Sequence, residues 1–409
     1  KEMNMPVEGG PLPGYPDVPY AQSCSMDRCM ARAKEMMDWD SKYPCRDMGN
    51  GKVRGVGVAM AMQGSSIAGV DVGGADIKLN EDGSYTLALG CTDMGTGCDT
   101  VMAQIAADCL NTPMDNIVVF SVDTDISPYD SGSYASATTY TTGVAVMKAC
   151  EELKKKICKL GAEMMEVDEG KVDFDGSCVF YDETLEISDG ADGNAAGHMT
   201  DAEEGYSVDM DAISSENAQK KVSLEDIALK STFFNNIELQ VVKQHSSPIS
   251  PPPFMVGMAE VEVDTETGSV DVLDYVAVVD CGTPINPNLA RVQTEGGIAQ
   301  GIGMALWEDV QYTDKGKIRN NSFMQYKIPT RQDIGNIRVD FECSYEKSGP
   351  FGAKSIGELV IDTPCPALAE AIYNATGVRL TELPMTPEKI AMEILKNRES
   401  TRSGTKVEE

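Results

Sequence analysis

Histidine is almost absent from this chain: His198 and His245 are the only two among 409 residues. That scarcity argues against a zinc enzyme and against a Ser-His-Asp hydrolase. The 12 cysteines form no C-x-x-C pair; Cys24 and Cys29 stand closest, and nothing follows them at iron–sulfur spacing. No apolar run approaches the ~20 residues needed to cross a bilayer, and no segment reads as a signal peptide. A cytoplasmic protein with reduced, mostly buried thiols is expected, and so many cysteines and methionines suit a reducing, anaerobic setting. Basic residues are scarce as well: 34 Lys and Arg face 65 Asp and Glu, a net charge of −31 that repels phosphate backbones and excludes nucleic acid as a partner. Chemistry must therefore come from carboxylates, amides or a bound cofactor.

What is present is a chain long enough for two or three cores, 42% hydrophobic and folded rather than disordered. The proline-bearing start and a helix over 25–38 make a lead-in segment, residues 1–50. Residues 51–160 hold the strands VRGVGVAMAMQG, ADIKLN and SYTLALG, the last two joined at Asp82-Gly83, then the helix DTVMAQIAADCL, the strand NIVVFSVD and the helix VAVMKACEELKKKICKL. Residues 161–222 form an acidic insertion; 161–220 carry 17 Asp and Glu against Lys171 and Lys220, about half the net charge, and read as a solvated surface module. Residues 223–397 begin with a short helix capped by Ser223. They continue with two strands around Thr267-Gly268, a long helix from INPNLARV, the strand NIRVDFECSY, and helices ending at Gly377 and starting at Thr386-Pro387. Residues 398–409 form a tail. Strands followed by helices, recurring after the insertion, indicate an α+β chain of two related mixed α/β subdomains without a fixed-period repeat.

Three glycine-rich loops are placed for chemistry. Gly95-Thr96-Gly97 precedes a helix, where free N–H groups and the helix dipole suit a phosphate or polar heterocycle. Tyr134-Ala135-Ser136-Ala137-Thr138-Thr139 combines small residues with hydroxyls before another helix. Gly349-Pro350-Phe351-Gly352-Ala353-Lys354-Ser355-Ile356-Gly357-Glu358 ends on a carboxylate followed by apolar residues, where partial burial would tune it toward general-base work. Each loop taken singly reads equally as an ordinary connection, a Ser/Thr cap or a solvated acid. Gln300 lies among Gly296, Gly297, Gly301 and Gly303, which thin one helix face either for a ligand or for tight helix packing.

In order and wording, four segments together resemble the xanthine dehydrogenase and aldehyde oxidase family: GCTDMGTGCDT-x-x-AQIAAD, DTDISPYDSGSYASATTYTTGVAV, VVDCGTPINPNLARVQTEGGIAQGIGMAL, and GPFGAKSIGE with the PALAEAIYNATGVRLTELPMTPEKI that follows. The match runs from about residue 50 to 397, outside the acidic segment, and corresponds to the C-terminal half of the family's molybdopterin-binding large subunit.

The resemblance implies subdomains of the molybdenum-cofactor-binding type. It implies a molybdenum ion held by a pterin dithiolene with no protein side chain on the metal, the pterin in its cytosine dinucleotide form, and a sulfido or selenido ligand. Gly95, Thr96 and Gly97 would face the pterin; Ala135, Ser136, Ala137 and Thr138 would hold phosphates; Gln300, Lys354 and Gly357 would contact the pterin region; Glu358 would be the catalytic base. Tyr134 and Phe351 would line the substrate. Thr96 departs from the glutamine of many relatives, and Gln63 to Gly69 replace an aromatic substrate segment. The implied activity is hydroxylation of an N-heterocycle (xanthine, another purine or nicotinate) with oxygen from water. An aldehyde substrate, or a non-catalytic cofactor scaffold, are the alternatives. Expected partners are a subunit carrying the N-terminal half, a 2Fe-2S subunit and an FAD subunit, with no membrane.

Overall fold

The structure is a computed structural model that describes residues 2–12, 20–185, 220–235 and 238–403. The chain opens with α1 (Met26–Met37), the single turn α2 (Trp39–Lys42), β1 (Cys45–Gly49) and β2 (Lys52–Met62). A first hairpin, β3 (Gly73–Leu79) and β4 (Tyr85–Leu89), leads through α3 (Cys98–Leu110) to β5 (Ile117–Ser121) and then to α4 (Gly143–Met165). Strands β6 (Val172–Phe174), β7 (Cys178–Tyr181) and β8 (Lys221–Ser223) precede α5 (Leu224–Leu229) and β9 (Gln240–His245). A second hairpin, β10 (Phe254–Asp264) and β11 (Val270–Asp280), leads through α6 (Pro287–Leu306) to β12 (Asn336–Phe341), then α7 (Pro364–Thr376) and α8 (Pro387–Ser403).

The two hairpin units share one plan. In each, a helix carries the chain from the second hairpin strand to a strand that pairs parallel with it, β4 with β5 and β11 with β12. In each, an antiparallel strand flanks the first hairpin strand, and here the chain crosses over. β2, which directly precedes the first hairpin, pairs with β10; β9, which directly precedes the second, pairs with β3. The sheets are therefore β9-β3-β4-β5 and β1-β2-β10-β11-β12. Each sheet thus combines strands from both segments, 51–160 and 223–397, with β2 beside β10 and β9 beside β3.

Side-chain periodicity explains the layers. In the first unit Ala75, Ile77 and Leu79 of β3 and Tyr85, Leu87 and Leu89 of β4 enter one core with the apolar faces of α3 and α4. In the second, Met255, Ala259 and Val261 of β10 face α6 and α7, while Phe254, Val256 and Met258 face α1. Both faces of β10 are covered, so it reads as a continuous apolar run. Gly55 and Gly57 let α7 lie directly on β2: a Cβ at Gly57 would stand 2.2 Å from the carbonyl oxygen of Ala367.

Helix α4 continues through the expected boundary at 161 to Met165, and β6, β7 and β8 form a small antiparallel sheet at the ends of the acidic segment. Most of that insertion, residues 186–219, lies outside the described residues.

Candidate active site

A cleft of about 290 Å³ opens where the two units meet. Its walls come from four segments of distant sequence: Met94 to Val101, Ser133 to Thr139, Cys281 to Gln293 and Ala353 to Glu358. Each wall lies at the end of a strand or the start of a helix, where backbone groups lack helical partners.

The first wall is the loop into α3. Asp93 accepts the N–H groups of Gly95 at 2.8 Å and Gly97 at 3.1 Å. Partial burial pulls its carboxyl upward, but these backbone donors outweigh that and hold it below the ordinary carboxylate range. Thr96 lines the cleft, and Gly95 and Gly97 flank it in left-handed backbone at φ 103° and 76°. Leu289 of α6 packs against Gly97, where a Cβ would come within 2.6 Å of its methyl group.

The second wall is strained. Ala135 and Ser136 are consecutive non-glycine residues with φ of 50° and 56°, a conformation that persists only where surroundings over-determine it. Here they do. The Ser66 N–H donates to the Ala135 carbonyl at 3.0 Å, and the Tyr134 hydroxyl donates to buried Asp71 at 2.6 Å. Thr138 and Thr139 then open a π-turn that runs into α4, with both lining the cleft.

The third wall carries the carboxylate. Ser355 ties this loop to the end of β2: its N–H donates to the Ser65 hydroxyl at 3.1 Å and its hydroxyl to the Gly64 carbonyl at 3.2 Å. Glu358 follows at the cleft edge, where its Oε2 accepts from the Gln63 amide at 3.0 Å and from the Ser136 hydroxyl at 3.2 Å. Its backbone N–H donates to that same hydroxyl at 2.9 Å. The carboxylate is exposed in this chain, so the partial burial expected from the sequence is not found.

The structure revises several assignments. Lys354 lines the cleft through its backbone, but its ammonium turns away into the interior. There it pairs with Asp280 at 3.1 Å, both side chains fully buried, and lies 4.9 Å from the centre of the Phe254 ring. The ammonium is thus engaged inside the protein and does not face the cleft. Gln300 is exposed on α6 and does not line the cleft. The glycines around it serve helix packing, since Cβ atoms at Gly297 and Gly301 would meet Val360 at 2.2 Å and Pro364 at 2.6 Å. Gln293, two turns earlier on α6, does line the cleft and donates to the Gly357 carbonyl at 2.9 Å. Phe351 packs against the first unit's core and is absent from the lining, whereas Tyr134 does line it. Ser136 cannot donate to a phosphate in this arrangement, because its single hydroxyl proton is engaged by Glu358.

The segment holding Cys281 to Gln293 is part of the family resemblance, but of its residues only Gln300 was named for the site, and Asn286 and Gln293 were missed. Asn286 is its anchor: the side chain caps α6 by accepting the Leu289 N–H at 3.0 Å and donates to Gln104 of α3 at 3.0 Å. The Asn-Pro start of that helix was the signal available.

The donor set suits a group that brings its own metal ligands. Burial pushes the Cys281 thiol up to about 12, so it stays protonated and is a poor metal ligand. Among the described residues, the one trio with metal-ligand spacing is Asp93, Cys98 and Asp99. There Asp93 is engaged by the glycine loop and Asp99 by Ser121 at 3.1 Å. The remaining lining mixes hydroxyls and amides with apolar side chains such as Val101, Ile285 and Leu289, which suits a heterocycle carrying polar substituents.

Residues 32–335 match the family model described as a molybdopterin cofactor-binding domain. The chain is 33% identical over 380 residues to the probable hypoxanthine oxidase XdhD of Escherichia coli (strain K12), an alignment covering 91% of this chain and 35% of that protein. It is 28% identical over 375 residues to the xanthine dehydrogenase molybdenum-binding subunit of Escherichia coli O157:H7, covering 90% and 46%. Among solved structures, quinoline 2-oxidoreductase from Pseudomonas putida 86 superposes with a TM-score of 0.77 at 22% identity, over 91% of this chain and 46% of that one. CO dehydrogenase from Oligotropha carboxidovorans gives 0.76 at 21%, over 96% and 48%. These structures share the mixed α/β fold, and the chain spans between a third and a half of the length of these relatives.

Proposed function

Since the chain belongs to the molybdopterin cofactor-binding domains of the xanthine dehydrogenase and aldehyde oxidase family, we propose that it is the cofactor-binding portion of a hydroxylase acting on an N-heterocycle. The substrate would be a purine or nicotinate-like ring, with oxygen drawn from water. The observation that carries this reading is the meeting of the strained 134–136 loop and Glu358 across one cleft, although 222 residues separate Ser136 from Glu358. A scaffold that only stored cofactor would not need a carboxylate held at the cleft edge by two side chains.

In this proposal Gly95, Thr96 and Gly97 bound the pterin, in its cytosine dinucleotide form, on one side. Ala135 and Thr138, with Thr139, offer backbone and hydroxyl donors to phosphate beside Ala137, whose N–H is taken by the Tyr134 carbonyl at 3.0 Å, and Gly357 with Gln293 closes the opposite side. When bound, the molybdenum–pterin group supplies the two-electron oxidation. Glu358 supplies the base, accepting a proton at its carboxylate as the water-derived oxygen attacks an electron-poor ring carbon. Asn286 ties the start of α6 to α3, and Ser355 ties the Glu358 loop to the end of β2. Electrons leave through 2Fe-2S and FAD centres on partner subunits, and a polypeptide or segment supplying the other half of the large subunit completes the substrate pocket, with Tyr134 on this side of it.

The test is metal analysis of the purified complex together with turnover on xanthine, hypoxanthine, nicotinate and a simple aldehyde. About one molybdenum per chain and turnover of a heterocycle are expected. A metal-free active complex contradicts the cofactor, and activity confined to the aldehyde contradicts the substrate class.

A further inference from the structure

The hydrogen bonds around Glu358 are asymmetric. Both side-chain bonds reach Oε2, from Gln63 at 3.0 Å and from Ser136 at 3.2 Å. Among the described residues Oε1 has no hydrogen-bond partner. The donors come from two loops tied to each other and to the Glu358 loop. Ser66 N–H bonds Ala135 at 3.0 Å, Ser65 receives the Ser355 N–H at 3.1 Å, and the Glu358 N–H bonds Ser136 at 2.9 Å. Ser136 thus grips Glu358 at two points, backbone and carboxylate, from a backbone held at φ 56°. Space is tight there: a Cβ at Gly357 would stand 3.1 Å from the Ser136 hydroxyl.

We infer that Ser136 and Gln63 are positioning residues for Glu358, fixing Oε2 so that Oε1 is the oxygen that takes the proton. This rests on the reading of Glu358 as the base. A carboxylate on an exposed loop end otherwise samples several rotamers, and only some aim an oxygen at the reacting group. Two donors on one oxygen select a single orientation before substrate arrives, which is where preorganisation lowers the barrier. The left-handed backbone at Ser136 is then a strain stored to aim its hydroxyl away from the phosphate side of the loop and toward the base.

The experiment is a double-mutant cycle on the intact complex. Molybdenum content, KM and the rate of cofactor reduction by substrate are measured for Ser136→Ala, Glu358→Gln and the pair. Expected for Ser136→Ala are unchanged molybdenum content, little change in KM and a rate reduced roughly tenfold, the equivalent of one hydrogen bond to a charged group. In the Glu358→Gln background the same change should cost nothing further, because no base remains to be aimed. Gln63→Ala, on a different loop with ordinary backbone, carries the same test if Ser136→Ala fails to assemble. Lost molybdenum in Ser136→Ala returns that residue to phosphate binding and overturns the inference. So does an equal rate loss in both backgrounds, which is the mark of a merely structural role. Near-wild-type turnover in Glu358→Gln alone overturns the base assignment and this inference with it. Additive losses in an impaired Glu358→Gln complex overturn the inference alone.

Discussion

Replacing Lys354 by methionine separates two roles that its position allows. The lysine follows the glycine loop of the cleft, yet its ammonium is sealed in the interior. There it pairs with Asp280 at 3.1 Å, donates to the Ser23 carbonyl at 3.3 Å and stands over the Phe254 ring. Methionine keeps most of the aliphatic volume and removes the charge. Asp280 is then left without its cation, although it still accepts from the Ser25 N–H at 2.8 Å, the Gly282 N–H at 3.0 Å and the Ser344 hydroxyl at 2.7 Å. Removing one partner of a buried pair costs on the order of 3–5 kcal/mol, and these three donors place the expected loss near the lower end. For a chain of this length that is a fall of roughly 3–6 °C in the unfolding midpoint. Adding Asp280→Asn should recover part of it, since the uncompensated charge goes with it. The assay is thermal unfolding of the complex alongside its molybdenum content. An unchanged midpoint with molybdenum lost would instead put the ammonium on the cofactor.

Three further outcomes follow from the geometry. Gly57→Ala drives a methyl group into the Ala367 carbonyl of α7; it should destabilise the second unit by about 1–3 kcal/mol or more, read from denaturant midpoints. Gln293→Ala should lower turnover by freeing the Gly357 carbonyl, while Gln300→Ala leaves molybdenum content and turnover unchanged; the reverse pattern would restore the sequence-based choice. His245 is held at about 4, below its ordinary 6.5, by burial and then by Lys148. The unfolded chain therefore binds the extra proton first, and stability is lost as pH falls from about 6.5 toward 4. His245→Gln should flatten that fall in the unfolding midpoint.

Local features of the fold were legible in the sequence wherever one segment contained its own signal. The turn at Asp82-Gly83, the Ser223 cap and the Gly377 stop all fall where their chemistry puts them, with the Ser223 hydroxyl accepting the Asp226 N–H at 3.1 Å and Gly377 at φ 72°. The exchange of β2 and β9 was not legible, because alternation marks a strand without naming its partner. β9 itself was missed: Gln240, Lys243, Gln244 and His245 break up the apolar pattern on a strand with one solvent-facing side. At the site, loop identity was readable but side-chain direction was not. Lys354 turns inward because Asp280 lies beneath it, 74 residues earlier. Ser136 turns to Glu358 because a left-handed backbone re-aims its Cβ. Gln300 stands among glycines that look like room for a ligand, and only the packed structure shows Val360 and Pro364 filling that room.

In the proposed function Glu358 is the base for chemistry supplied by a bound molybdenum cofactor. Glu358→Gln preserves the side chain's shape and its neighbours while removing its basicity. Measured on the intact complex, this variant should retain wild-type molybdenum content and lose on the order of 10²–10⁴-fold in turnover. Full molybdenum content with turnover near wild type would contradict the account.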